Sequence, residues 1–403
     1  MAIAQSSSEL SPAWRVPLYW MSSGAFAIGT EGFMIAAILP QIAGDVGVTV
    51  GSAGLLVSAF TLTYAVTSPL LTTLTWRLDR RRLLTACMLV FAAGNVMAAM
   101  AGSFLELLVA RLVMAMAAGL FVPNANALAG ALAPSEKRGQ ALAIVTGGLS
   151  AAVALGVPAG AFIGAHLGWR VTFVAVSILA VIAATGLAIG LPKDAGGTPK
   201  AMTLRERAKP LRDASVTFGL FATFLWAAGT YSAYTYVSPL LLKTAGLGHD
   251  QVSPVLFLWG VSACIGLAIG GRAADRFGGG WVVAMSLPTL MLALLFFSAI
   301  AEWAAGPHLV VALSLVAVWG FSAWAFFPAQ QSHLIGAGGV GNAPITLSLN
   351  ASFQYAGFAL GAFLGGVTVD KISVTALGLT GALCVLLAIL FDQVGKRAAI
   401  RAT

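Results

Sequence analysis

Gly24-Ala-Phe-Ala-Ile-Gly-Thr-Glu-Gly-Phe-Met-Ile-Ala-Ala-Ile-Leu-Pro40 is apolar enough to cross a bilayer, yet it carries one carboxylate, Glu31. The nearest flanking charges are Arg15 and Asp45, 16 and 14 residues away. At ~1.5 Å per residue, Glu31 falls near the middle of a ~30 Å hydrocarbon slab. An ionisable group at that depth is costly. It has to face a protein interior or a wet cavity, and it is a functional candidate by default. Glycines 24, 29 and 32 remove side-chain bulk around it and let neighbouring helices come close. The competing reading is a carboxylate that only fixes helix packing, but no other acid sits this deep in an apolar run.

The whole chain has the same character. Of 403 residues, 59% are hydrophobic and 9% charged, with mean hydropathy +0.91. Soluble domains carry about 25% charged residues, so the composition predicts an all-α integral membrane protein and excludes a globular soluble enzyme. Cys87, Cys264 and Cys384 lie in apolar runs and read as small core residues, with no disulfide frame and no metal site. The first apolar run is too long for a signal peptide and reads as the first span.

Twelve apolar runs have spanning length: 16–40, 51–75, 83–102, 105–131, 139–165, 169–191, 215–242, 251–274, 281–301, 308–333, 342–369 and 374–394. One connection is long and charged, Pro192 to Asp213. The expected organisation is therefore a six-helix bundle over 1–191, a cytoplasmic linker over 192–214, and a second six-helix bundle over 215–403. If both termini are inside, eighteen of the 22 Lys and Arg fall on the cytoplasmic side and three outside, with Arg111 within a span. That bias sets the orientation and explains the net charge of +8 without nucleic acid. The halves repeat weakly. Gly160-Ala-Phe-Ile-Gly164 returns as Gly361-Ala-Phe-Leu-Gly365, and Phe121-Val-Pro123 as Phe326-Phe-Pro328. Two same-direction repeats imply a pseudo-two-fold axis normal to the membrane, with a substrate site at the midplane between halves.

Arg111 lies inside the fourth span, five residues past Glu106, and its guanidinium needs acceptors; Glu31 is the available acid. The charge on Glu31 then depends on whether water or Arg111 is near, as a proton carrier requires. Polar and aromatic residues on other spans are candidate substrate contacts: Phe60 and Tyr64, Asn126, Tyr231 and Tyr234, Gln330 and Gln331, Asn350 and Gln354. Each alone reads first as packing or interhelical hydrogen bonding. Together they suggest an aromatic-lined cavity with few fixed charges, suited to neutral or cationic organic solutes. Three other patterns carry no chemistry. Gly336-x-Gly338-x-x-Gly341 follows a membrane helix instead of a strand. Asn350-Ala-Ser352 lies in an apolar run, and the four histidines lack metal-ligand spacing.

These residues resemble the major facilitator superfamily, and within it the twelve-span drug:proton antiporters, over essentially the whole chain. Gly271-Arg-Ala-Ala-Asp275-Arg276-Phe-Gly278 resembles the superfamily's loop signature, whose Asp and Arg belong to a cytoplasmic gate lock. Arg111 with Gly119 resembles the fourth-span motif, whose Arg is implicated in proton coupling. Gly148…Gly156-Val-Pro158-Ala-Gly160…Gly164 resembles the fifth-span motif associated with antiport. Leu39-Pro40-Gln-Ile-Ala43, Ser68-Pro-Leu-Leu71 and Arg80-Arg-Arg-Leu83 are most similar to the bacterial sugar-efflux, purine-efflux and multidrug-efflux subgroup. Two features depart from the family's pattern. The first-half loop has Thr72 and Trp76 where the family has Gly and Asp, leaving Asp79 and Arg80 to serve the gate. Gly32 also separates Glu31 from Phe33.

The resemblance implies a proton-coupled antiporter of the bacterial inner membrane that exports drugs, sugars or purine nucleosides. Both termini would be cytoplasmic. It would act as a monomer, with a proton gradient as energy source and no cofactor. A facilitator or importer of a small polar solute, or a membrane sensor without flux, are the alternatives. An intramembrane enzyme would need paired catalytic groups at one depth, and none is present.

Overall fold

The fold is known from a computed structural model that describes residues 14–193, 209–248, 251–303 and 308–402. All regular structure among them is helical. Eleven helices are long and apolar enough to cross a membrane: α1 (Arg15–Asp45), α2 (Val50–Leu74), α3 (Arg80–Met100), α4 (Phe104–Leu132), α5 (Arg138–Leu167), α6 (Trp169–Gly190), α8 (Val252–Phe277), α9 (Gly279–Glu302), α10 (Leu309–Gly338), α11 (Ala343–Lys371) and α12 (Val374–Ala398). The seventh apolar run, α7, is present in two pieces, Ala214–Tyr234 and Val237–Ala245. Pro239 explains the break: it has no N–H, and its ring opposes the carbonyl four residues back, at Thr235. Most of the expected linker lies outside the described residues, including Lys200, Arg205 and Arg207; its end, Lys209–Arg212, is one short helical turn.

Helix ends are set by local chemistry. Thr49, Asp79, Ser103 and Asp213 cap the N-termini of α2, α3, α4 and α7 by accepting from Ser52, Arg82, Glu106 and Ser215 N–H. In oil every other backbone group has to be paired within its own helix, which is why the apolar runs become helices at all.

Helices α1 to α6 and α7 to α12 pack mainly among themselves. The glycine repeat has a physical meaning. A Cβ at Gly156, Gly160 or Gly164 of α5 would stand 2.0, 2.7 and 2.4 Å from Thr30, Met34 and Ile38 of α1. At Gly357, Gly361 and Gly365 of α11 it would stand 2.2, 2.3 and 2.4 Å from backbone oxygens of Phe224, Ala228 and Ser232 in α7. Glycines one turn apart thus seat α1 on α5 and α7 on α11, two equivalent joints. Gly54 and Gly266 serve similar close crossings elsewhere.

The halves meet chiefly through α2 with α11, α5 with α8, and α1 with the second piece of α7. Contact of α5 with α8 uses Ala152–Leu167, the part far from the basic loops. There α5 widens into a π-turn, Ala152–Gly156, just before Pro158, whose missing N–H leaves one helix bond unmade. Gly260 of α8 lies against that turn; a Cβ there would be 2.5 Å from the Val153 oxygen. At the same end Asp370 of α11 accepts from Thr49 Oγ1 at 2.7 Å and from Gly51 N at 3.1 Å. Tyr236 Oη donates to Ala362 O at 2.9 Å and lies 3.3 Å from Gly51 O. The end bearing Thr49 and Asp370 is therefore latched shut. A carboxylate at a helix N-terminus is favourably placed for this. A hydrogen bond to a charged group contributes about 1.5–3 kcal/mol. Asp370→Ala is accordingly expected to raise amide hydrogen exchange over residues 49–54 at least tenfold. Unchanged exchange would contradict the latch.

Candidate functional site

Glu31 and Arg111 meet. Both side chains are fully buried, and Glu31 Oε1 forms an ion pair with Arg111 Nη1. Arg111 Nε donates to Leu56 O at 3.3 Å, and its guanidinium lies 4.2 Å from the centre of the Phe60 ring. Glu31 Oε2 and Arg111 Nη2 have no hydrogen-bond partner among the described residues. The helices deliver this pair. The Gly156 contact with Thr30 holds α1 against α5, turning Glu31 toward α4. Gly32 leaves Phe33 pointing the other way, into the second half.

Phe33 opens an aromatic chain across both halves. It stands 6.0, 5.9 and 6.2 Å from Tyr231, Tyr234 and Trp324. Tyr231 stacks on Phe358 at 3.8 Å, and Phe358 lies 5.6 Å from Tyr355. Tyr355 in turn stacks on Tyr64 at 3.7 Å with the rings 14° from parallel. Tyr234 Oη donates to Phe33 O at 3.3 Å. Offset and edge contacts of this kind contribute about 0.5–1.5 kcal/mol each beyond burial.

Below the Tyr64–Tyr355 stack, toward the basic end, a cavity of about 590 Å³ lies between the halves. Tyr64, Ser68, Pro123, Asn126, Ser348 and Ser352 are among its walls. Tyr64 is one turn beyond Phe60 on α2. The order from the cavity inward is thus Tyr64, Phe60, Arg111, Glu31, with the ion pair sealed off.

Of the residues singled out by sequence, Tyr64 and Asn126 line the cavity, Phe60 covers Arg111, and Tyr231 and Tyr234 join the aromatic chain. Gln330 and Asn350 do not face it. Gln330 Nε2 donates to Gly219 O at 2.7 Å, and Asn350 Oδ1 accepts from Thr223 Oγ1 at 2.8 Å. Both satisfy polar atoms where α7 crosses α10 and α11, a need the sequence does not display. Gln354 is buried and Gln331 half-buried; neither is among the cavity walls. At the basic end Asp79 caps α3, and Arg80 donates to Asn124 Oδ1 at 2.5 Å. Asp275 is exposed, Arg276 lies over Phe277 at 5.2 Å, and Gly271 is close to Pro328. Ser253 of α8 donates to Pro158 O at 2.8 Å across the halves. Phe33, Tyr355, Phe358 and Asp370 were missed by sequence reasoning. Only the placement of Tyr355 beside Gln354, and of Phe358 one turn on, hinted at two of them. No group of three or more His, Cys, Asp or Glu among the described residues could hold a metal.

A family model described as Major Facilitator Superfamily matches residues 21–338. The chloramphenicol resistance protein of Streptomyces lividans is 34% identical over 392 residues, covering 95% of this chain and 98% of that one. The Bacillus subtilis MFS-type transporter YbcL is 33% identical over 381 residues, covering 94% and 95%. The Escherichia coli inner membrane transport protein YdhP is 32% identical over 355 residues, covering 88% and 89%. Among solved structures, a point mutant of the peptide transporter POT superposes with a TM-score of 0.78 at 13% identity, covering 95% and 94%. A bacterial homolog of the human lysosomal transporter Spinster, in an inward-facing unoccupied conformation, gives 0.72 at 17%, covering 97% and 98%. The likeness to the solved structures is one of fold.

Removing one partner of a buried ion pair strands the other charge and costs about 3–5 kcal/mol. Arg111→Ala is therefore expected to lose most of the protein's stability in detergent. The double variant Glu31→Ala with Arg111→Ala is expected to lose clearly less than the sum of the singles. Additive losses in thermal or denaturant unfolding would show that the two groups do not act as a pair.

Proposed function

Since the chain belongs to the Major Facilitator Superfamily, we propose that it is a proton-coupled exporter of small organic molecules, working by alternating access. It is a multi-pass membrane transporter, not an enzyme, and transport of this kind needs no cofactor. Under this proposal it sits as a monomer in a bacterial inner membrane. The excess of Lys and Arg supports putting the basic end and both termini in the cytoplasm. The cavity then belongs to an inward-facing state, and the Asp370 latch closes the outside. Residues 1–191 and 215–403 rock as two bodies about the contacts of α2 with α11 and α5 with α8. Asp79, Arg80, Gly271, Asp275 and Arg276 would come together only when the basic end closes.

The observation that carries this reading is the Glu31–Arg111 pair, in which Glu31 Oε2 and Arg111 Nη2 lack hydrogen-bond partners among the described residues. A well-packed apolar pair would hold α1 to α4 at least as well. A carboxylate kept in oil with an unsatisfied atom points instead to a group whose charge has to change. In the proposed cycle Glu31 is ionised and paired while the inside is open. Opening to the outside separates it from Arg111 and lets it take a proton; returning inside, it gives the proton up as the pair re-forms. The likeness to a chloramphenicol resistance protein supports export as the direction.

Everted membrane vesicles carrying the protein are expected to accumulate chloramphenicol when a pH gradient is imposed. Glu31→Gln is expected to abolish that accumulation while leaving counterflow exchange intact. Undiminished gradient-driven accumulation in the variant would falsify the coupling role.

A further inference from the structure

Among the described residues the cavity wall holds no charged side chain. Its polar groups are the amide of Asn126 and the hydroxyls of Tyr64, Ser68, Ser348 and Ser352, set among apolar side chains. The acid a cation would seek, Glu31, is fully buried and already paired with Arg111. The base an anion would seek is that same Arg111, covered by Phe60. Arg80 is buried as well, donating to Asn124. Transfer of an ion from water to such a wall is strongly unfavourable without a paired charge, whereas a neutral solute needs only hydrogen bonds. Asn126 can supply them. Its Oδ1 is out of reach of water as the amide stands and has no hydrogen-bond partner among the described residues, so turning that oxygen into the cavity breaks no hydrogen bond it makes. A half-turn of the amide offers either an acceptor or a donor pair.

We propose that the cavity takes uncharged, hydrogen-bonding organic solutes and discriminates against organic ions of either sign, with Asn126 as the polar group that fixes the ligand. This rests on the export reading for its meaning but not for its test, since binding requires no gradient. The neutral end of the range suggested by composition is thereby chosen and the cationic end set aside.

The test uses the full chain purified in detergent and equilibrium binding of five probes. Three are uncharged: chloramphenicol, inosine and lactose. Tetraphenylphosphonium is the cation and salicylate the anion. At least one uncharged probe is expected to bind tenfold or more tighter than either ion. Asn126→Ala is expected to weaken that binding about tenfold, the effect of one hydrogen bond of about 1.4 kcal/mol. Asn126→Asp, which preserves shape, is expected to weaken the neutral probe and to strengthen tetraphenylphosphonium. Its melting temperature, compared with the parent's, reports whether the fold is kept. Tighter binding of an ion to the parent, indifference of the neutral probe to Asn126→Ala, or failure of all three uncharged probes would overturn the proposal. A probe that binds as expected but is not moved by a pH gradient would contradict export and leave the cavity chemistry standing. Gradient-driven movement of tetraphenylphosphonium with equal affinity would do the reverse.

Discussion

A full positive and a full negative charge face each other in a region that water does not reach, and the rest of the molecule is arranged around that constraint. Glu31 could not remain ionised there alone, and Arg111, whose guanidinium keeps its proton, would be left as a stranded charge. Their meeting requires α1, α2 and α4 to converge at one depth, and the helix contacts supply this. Gly156, Gly160 and Gly164 draw α1 onto α5, while Leu56 O and Phe60 on α2 receive the remaining faces of the guanidinium. A cation over an aromatic ring in a dry site is worth about 2 kcal/mol, so Phe60 is both a partner of Arg111 and the lid between it and the cavity.

Among its described residues the second half carries no fully buried ion pair, and it solves a different problem. Its α7 and α11 are joined by the equivalent glycine stripe, but α7 is loaded with aromatic and hydroxyl residues and breaks before Pro239. Tyr231 and Tyr234 reach across to Phe33, so the charged centre of one half is coupled to the aromatic face of the other through α1 itself. Phe33 and Glu31 sit on opposite sides of one helix turn. A rotation or tilt of α1 that moved one would move the other, which is the mechanical link the proposed exchange of proton for solute needs.

Much of this was legible in the sequence. Helix number and the glycine repeat at positions 160–164 and 361–365 follow from hydropathy and spacing, because the bilayer fixes length and polarity so tightly. Rotation about a helix axis was less legible. Asn126 and Asn350 look alike as polar residues in apolar runs, yet one lines the cavity and the other serves Thr223. What decides between them is the neighbouring helix, which no local pattern encodes. The closed-end latch was invisible for the same reason: Thr49 and Asp370 are 321 residues apart. Asp79, a stand-in for the gate on sequence grounds, is engaged in capping its own helix.

Coupling of the proposed kind requires the Glu31 carboxyl to change its protonation state while the protein stays folded. Infrared difference spectroscopy of the reconstituted protein tests that directly. A protonated-carboxyl band that grows as the pH is lowered, vanishes in Glu31→Gln and shifts in Arg111→Lys is the result predicted. A Glu31 carboxylate that stays ionised at every pH at which the helices remain intact would contradict it, and the ion pair would then be a fixed strut between α1 and α4.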